Sequence, residues 1–223
     1  MRTLQTLRAA VVAGSALLAI PAVASAQART TTAAPTTETK GYAEVVANST
    51  FGSVTSQAYG GEIGYAVWNE VQLFLEGGQV RNAATSSLSS NAQLIAAALT
   101  QLQPAGVSYA VKQPINYFNV GLRLPFTVQS QLKPYVLVGG GIAQVKKDVT
   151  FALASSEPLS QYVTLGDDLS GRKNSGVFTA GAGVMWPVYQ RLMVDFQFRL
   201  MRVFAEGEAV NVGRAGIGLG VQF

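Results

Sequence analysis

The chain contains no histidine and no cysteine. That removes the commonest transition-metal ligand, the thiolate nucleophile and the side chain best matched to proton transfer near neutral pH. It argues against every hydrolase built on a histidine-containing site, so neither enzyme activity nor a cofactor is expected. What remains is charge. Four acids, Glu44, Glu62, Glu76 and Asp195, and four bases, Arg123, Lys146, Arg199 and Arg214, each sit within a run that alternates apolar and polar residues. Enclosed together they would pair, because isolated charges away from bulk water are costly and ion pairing with hydrogen bonding offsets that cost. The chemistry on offer is electrostatic closure of a space. A second acidic group, Glu157, Asp167 and Asp168, could in principle meet a hard cation such as Ca²⁺. Its spacing matches no ligand loop, and it reads as a solvated acidic segment.

The elements that would hold these residues are strands. In 192–200, Leu192, Val194, Phe196, Phe198 and Leu200 alternate with Met193, Asp195, Gln197 and Arg199. After Glu206-Gly-Glu208, Ala215, Ile217, Leu219, Val221 and Phe223 alternate with Arg214, three glycines and Gln222. A period of two places the two sets on opposite faces of a strand. Similar runs begin at Gly41 and cover about 41–50, 57–68, 71–81, 114–126, 134–147 and 176–188, which makes eight strands with the last pair. In the fifth run the Val/Leu stretch and Gly139 to Gly141 blur the alternation. Its reading sets Tyr135, Leu137, Ala143 and Val145 on the outer face, with Lys146 on the inner one. The glycines read as room for long neighbours or as points of curvature. Gly216-x-Gly-x-Gly220 has no helix after it and is not a phosphate loop.

The connections alternate in length. Residues 69–70, 127–133 and 189–191 are short turns, whereas 82–112 and 148–174 are long. Within the first long loop, Leu88, Ala92, Ile95, Leu99 and Leu102 recur at helical spacing after serines able to cap a helix, and Pro104 and Gly106 would end it. The helix is expected to pack this stripe on the barrel rim. Strands of this length suit a membrane crossing, which takes about 9–11 residues. Short turns on one side and long loops on the other suit an up-and-down transmembrane β-barrel. Its aromatics would form two interfacial belts: Trp68, Phe126, Tyr135, Trp186, Tyr189 and Phe223 near the periplasmic end, and Tyr59, Phe118, Phe178 and Phe204 near the other. The eight charged residues would face the lumen. An eight-stranded barrel is just wide enough for its side chains to fill, so the expectation is a plugged lumen.

Residues 1–26 have the form of a secretory signal peptide: Arg2 and Arg8, an apolar core from Ala9 to Ile20, and Ala24-Ser25-Ala26 at the cleavage site. Residues 27–40 are rich in Thr, Ala and Pro and read as a flexible periplasmic lead, leaving 41–223 as the barrel domain. The formal net charge is +4, with 16 Lys+Arg and 12 Asp+Glu, and two of those arginines lie in the signal peptide. No basic cluster points to nucleic acid.

Residues 41–223 resemble the eight-stranded outer-membrane β-barrel proteins of the OmpA-like/OmpX-like group. The resemblance is carried by Lys133-Pro-Tyr-Val-Leu-Val-Gly-Gly-Gly141, Ala180-Gly-Ala-Gly-Val184, Val194-Asp-Phe-Gln-Phe-Arg-Leu200 and Gly218-Leu-Gly-Val-Gln-Phe223. It implies an all-β, eight-stranded antiparallel barrel in the cell outer membrane of a Gram-negative cell. Outer-membrane lipids and lipopolysaccharide would surround it, and Phe223 would match the C-terminal signal read by the barrel-assembly machinery. No C-terminal peptidoglycan-binding domain of the full-length OmpA kind is expected, so the resemblance does not imply cell-wall anchoring. Three functions stay open: a monomeric structural or surface-interaction barrel acting through 82–112 and 148–174, a narrow porin-like channel for small solutes, and a secreted lipocalin-like binding barrel.

Overall fold

Each alternating run forms a strand, since only an extended backbone gives a period-two sequence two distinct surfaces. The computed structural model describes residues 40–68, 71–102, 106–153, 169–205 and 208–223, all within the compact unit Glu38–Phe223. The expected signal peptide, nearly all of the expected lead, the 69–70 turn and the acids Glu157, Asp167 and Asp168 lie outside the described residues. The elements are β1 (Gly41–Phe51), β2 (Ser56–Trp68), β3 (Val71–Val80), α1 (Ser86–Leu102), β4 (Val107–Lys112), β5 (Ile115–Pro125), β6 (Lys133–Leu153), β7 (Ser170–Tyr189), β8 (Leu192–Ala205) and β9 (Glu208–Gln222). All pairings are antiparallel, in the order β4-β6-β5-β3-β2-β1-β9-β8-β7, and a β6–β7 pairing closes the ring. Eight strands make the wall, and β4 stands outside the ring against the far end of β6.

The register gives the geometry of closure. One row of paired residues runs Asn174–Gln144–Asn116–Gln79–Tyr59–Ala47–Ile217–Phe196 and returns to β7 at Val184. The offset from Asn174 to Val184 is a shear of ten residues. Eight strands with that shear tilt by about 40° to the barrel axis, within the usual range for closed barrels. At the seam, Gly41 N donates to Phe223 O at 2.8 Å and Phe223 N to Gly41 O at 2.9 Å.

The wall is apolar outside and polar within. Ile63, Leu75, Val120, Ile142, Phe196, Leu200 and Leu219 are exposed on the outer surface, whereas Glu62, Glu76, Arg123, Asp195, Arg199 and Arg214 are buried. This is the inverse of a lipocalin-like barrel and overturns that reading, because a soluble barrel would not turn its large apolar side chains to water while burying its charges. Among the described residues no helix is long and apolar enough to cross a membrane. The apolar band belongs to the strands.

Above the outer mouth the expected long loops are largely structured. β6 continues to Leu153 and β7 begins at Ser170, so most of the described part of 148–174 is strand. β4, inside the expected 82–112 loop, pairs with β6 from Val107↔Leu153 to Lys112↔Asp148, in the same register in which β5 pairs below it. The helix of the 82–112 loop is capped by Thr85 and not by a serine: Leu88 N donates to Thr85 Oγ1 at 3.3 Å. Its stripe Leu88, Ala92, Ala96 and Leu99 packs on Val149, Phe151 and Leu169, with Ile95, Val107 and Val111 against the cluster. Val149 and Phe151 share the inward phase of Ala143 and Val145, so α1 lies on the axis-facing side of the β4–β6 flap.

Candidate functional site

The ionic cluster in the lumen draws on all eight wall strands. β1 contributes Tyr42 and Glu44, β2 Glu62, β3 Glu76, β5 Tyr117, Asn119 and Arg123, β6 Tyr135, β7 Thr179, β8 Asp195 and Arg199, and β9 Arg214; all are buried. Three acids are ladder neighbours, Glu44↔Glu62 and Glu62↔Glu76, and two bases are likewise paired, Arg199↔Arg214. Like charges directly opposite each other weaken a sheet. Contacts across the lumen compensate.

Arg123 is the lower hub. Its Nη2 lies 3.1 Å from Asp195 Oδ2, and its Nη1 is 3.3 Å from Glu62 Oε1 and 3.9 Å from Glu44 Oε1. The guanidinium is stacked between two rings, 3.4 Å from the Tyr135 centroid and 4.5 Å from that of Tyr42. The Tyr135 hydroxyl donates to Asp195 Oδ2 at 2.6 Å, and the Tyr42 hydroxyl donates to Glu62. Each ring occupies space left by a glycine: a Cβ on Gly64 would enter the Tyr42 ring, and one on Gly183 would enter that of Tyr135.

Arg199 and Arg214 form the upper hub around Glu76. Arg199 Nη1 is 2.5 Å from Glu62 Oε2 and 3.1 Å from Glu76 Oε2, and Arg199 Nη2 is 4.0 Å from Glu44 Oε1. Arg214 Nη1 is 2.8 Å from Glu76 Oε1 and also donates to the Tyr117 hydroxyl. Tyr117 and Asn119 donate to the Glu76 carboxylate at 3.0 and 3.2 Å, and Asn119 reaches Thr179 Oγ1 at 3.1 Å. Charge-assisted bonds of this kind are the strong ones, and the planar guanidinium can serve two acids at once.

Apolar layers cover the cluster on both sides. Toward the chain ends Tyr42, Met185 and Met193 pack together. Toward the outer mouth Val80, Ile115, Val145, Val177, Met201, Val203 and Val212 belong to one buried cluster.

Two of the expected placements are corrected. Lys146 does not join the lumen cluster: it lies on the outer face of β6, its side chain 41% exposed, with its Nζ 2.8 Å from Asp148 Oδ2. Tyr135 is not an interfacial aromatic; it is 2% exposed and packs on Arg123. Both follow from one inversion of phase in β6, where Tyr135, Leu137, Ala143 and Val145 face inward. The other seven charged residues meet as described. Tyr59, Trp68, Phe126, Phe178, Trp186, Tyr189 and Phe223 are exposed, as are Phe118 and Phe204. The sequence reading missed Tyr42, Tyr117, Asn119 and Thr179 as partners, although Tyr42 shares the phase of Glu44, and Tyr117 and Asn119 that of Arg123. Among the described residues no group of acids is arranged to hold a metal.

A closed antiparallel ring with an apolar exterior, an ionic interior and eight strands is the architecture of the small outer-membrane β-barrels. The solved structures agree on the fold. Neisserial surface protein A superimposes with a TM-score of 0.55 at 15% identity, over 82% of this chain and 97% of that one. A major outer membrane protein from Thermus thermophilus gives 0.51 at 6% identity, over 82% and 99%. No protein-family model and no curated protein matches the sequence.

Proposed function

We propose that this protein is a monomeric outer-membrane barrel with a closed lumen, acting as a structural and surface-interaction element through α1 and the β4–β6–β7 flap. Export would use the signal peptide at 1–26, and insertion would use the barrel-assembly machinery with Phe223 as the recognised terminus. The observation that carries the reading is the packing of Arg123, Arg199 and Arg214 against four carboxylates beneath an apolar layer. A conduit for small solutes needs a continuous wet path, whereas these charges sit with side chains about 1% exposed or less. The exposed apolar wall supports a lipid surrounding, with outer-membrane lipids and lipopolysaccharide as neighbours.

Two measurements test this. Purified, folded protein in planar bilayers should give no steady unitary conductance; a large reproducible one would restore the porin-like reading. Cell fractionation should place the protein in outer membranes with heat-modifiable migration on SDS gels, and recovery in the soluble periplasm would overturn the proposal.

A further inference from the structure

We propose that the outer face of β3, β5, β6 and β7 is a binding site for a phosphorylated glycolipid of the outer leaflet. The inference rests on the outer-membrane reading above and adds a ligand and its residues. Three tiers on that face support it. Phe118 and Ile142 are ladder partners on the exposed apolar wall, where acyl chains would lie. The next row toward the outer mouth is made of amides: Gln79, Asn116, Gln144 and Asn174 are consecutive partners across four strands. Gln79 Nε2 donates to Asn116 Oδ1 at 2.7 Å and Gln144 Nε2 to Asn174 Oδ1 at 3.5 Å, while the Tyr59 hydroxyl donates to Gln79. Side-chain amides offer donors and acceptors together, which suits sugar hydroxyls.

The third row carries cations. Lys146 and Arg172 are direct ladder partners, and both occupy outward positions. Lys146 N donates to Pro114 O, and Arg81, two positions beyond Gln79, donates through Nη1 to Gln57 Oε1 at 3.1 Å. Like charges opposite one another destabilise a sheet unless an anion sits between them. Asp148 answers only part of this, binding Lys146 at 2.8 Å while its own partner on β4 is Lys112. Among the described residues that leaves three cations, Lys112, Lys146 and Arg172, against one acid on the flap's outer face. Cations above an amide row above an apolar wall match a headgroup of phosphates on sugar on acyl chains. A simple anionic phospholipid would leave the amide row without its sugar.

The test uses folded barrel in phosphatidylcholine vesicles, with lipid A, dephosphorylated lipid A or phosphatidylglycerol added, and reads binding together with the urea midpoint of the heat-modifiable form. Lipid A should bind and raise the midpoint, the other two should do so much less, and K146Q/R172Q should lower lipid A affinity by about tenfold or more. K133Q/R191Q, which removes the same charge from the opposite end of the barrel, should respond like the parent. Equal responses to lipid A and phosphatidylglycerol, to lipid A and its dephosphorylated form, or in K146Q/R172Q and the parent would each overturn the site. A protein that folds into phosphatidylcholine yet ignores lipid A defeats this inference alone. One that folds into no vesicle defeats the outer-membrane reading beneath it.

Discussion

Arg199 and Glu62 stand 137 residues apart in sequence and meet in the lumen at 2.5 Å. Each needs the other because each has a like charge beside it in its own ladder. Glu62 is flanked by Glu44 and Glu76, and Arg199 by Arg214. The acidic arc of β1–β2–β3 would repel itself if the guanidiniums were absent, and the arginine pair would do the same. The ring is therefore held by covalent connection, by backbone ladders and by charge pairing through its centre.

That relationship is measurable in a double-mutant cycle. Glu62→Gln and Arg199→Gln should each destabilise the folded barrel by about 3–5 kcal/mol, since each leaves buried charge uncompensated. The double variant should cost less than the sum, with a coupling of up to about 3 kcal/mol. Urea titrations in vesicles, scored by heat-modifiable migration, give all four stabilities. Strict additivity would mean that the two groups do not depend on one another.

Arg123 makes a sharper demand on shape. It reaches Asp195 and Glu62 from different nitrogens while its Cζ lies over the rings of both Tyr42 and Tyr135. A lysine retains the charge but has neither the fork nor the plane. Arg123→Lys should therefore lose stability nearly as Arg123→Met does, and Tyr135→Phe should cost about 1–3 kcal/mol by leaving the buried Asp195 Oδ2 with Arg123 as its remaining donor. A stable Arg123→Lys barrel would show that charge alone suffices there.

Most of this architecture could be read from alternation because a barrel wall is a strict period-two object with different solvents on its two faces. β1, β2, β3, β5, β7, β8 and β9 kept the phase their sequences imply. β6 did not, and the reason is local: Val136 and Val138 face outward while Leu137 and Tyr135 face the lumen, so both phases are apolar and hydrophobicity cannot choose between them. The informative residue was Gly183, whose missing side chain admits the Tyr135 ring, but that needs the β6–β7 register, which no single strand contains. β4 was hidden for another reason. Val107, Tyr109 and Val111 do alternate, yet they follow a helix and its stop signals within a stretch whose length suggested a loop.

The space for the tyrosines gives a second cycle. All three nearest atoms to a Cβ on Gly64 belong to the Tyr42 side chain. Gly64→Ala should thus push that ring off Arg123 and destabilise the barrel by about 1–3 kcal/mol, the usual range for overpacking. Tyr42→Ala removes the same contact by deletion. Adding it to Gly64→Ala should cost much less than it does in the parent. Full additivity in urea midpoints would separate the glycine from the stacking.

α1 is attached by a different kind of contact from the wall. It packs on the flap through the apolar cluster of Leu88, Ala92, Ala96 and Leu99 on Val149, Phe151 and Leu169, a side-chain contact and not a strand pairing. Leu88→Asp/Leu99→Asp should therefore release the helix and expose it to added protease on intact cells, while the barrel keeps its heat-modifiable shift. Loss of that shift would mean that α1 stabilises the wall itself.

The barrel seam separates structural from recognition roles for Phe223. Its backbone closes the ring through two hydrogen bonds with Gly41, at 2.8 and 2.9 Å, and its ring covers the Gly41 face while staying 49% exposed. Phe223→Ala retains both bonds and gives up only a half-exposed ring, so refolded protein should lose about 1 kcal/mol or less. Deleting Phe223 removes the bonds too and should cost more, because the first position of β1 then lacks its partner. If the ring is also read by the assembly machinery, Phe223→Ala should sharply lower the amount of folded barrel in cells while leaving the purified protein nearly as stable as the parent. Cellular levels that follow the refolded stability, and nothing more, would reduce Phe223 to a seam residue.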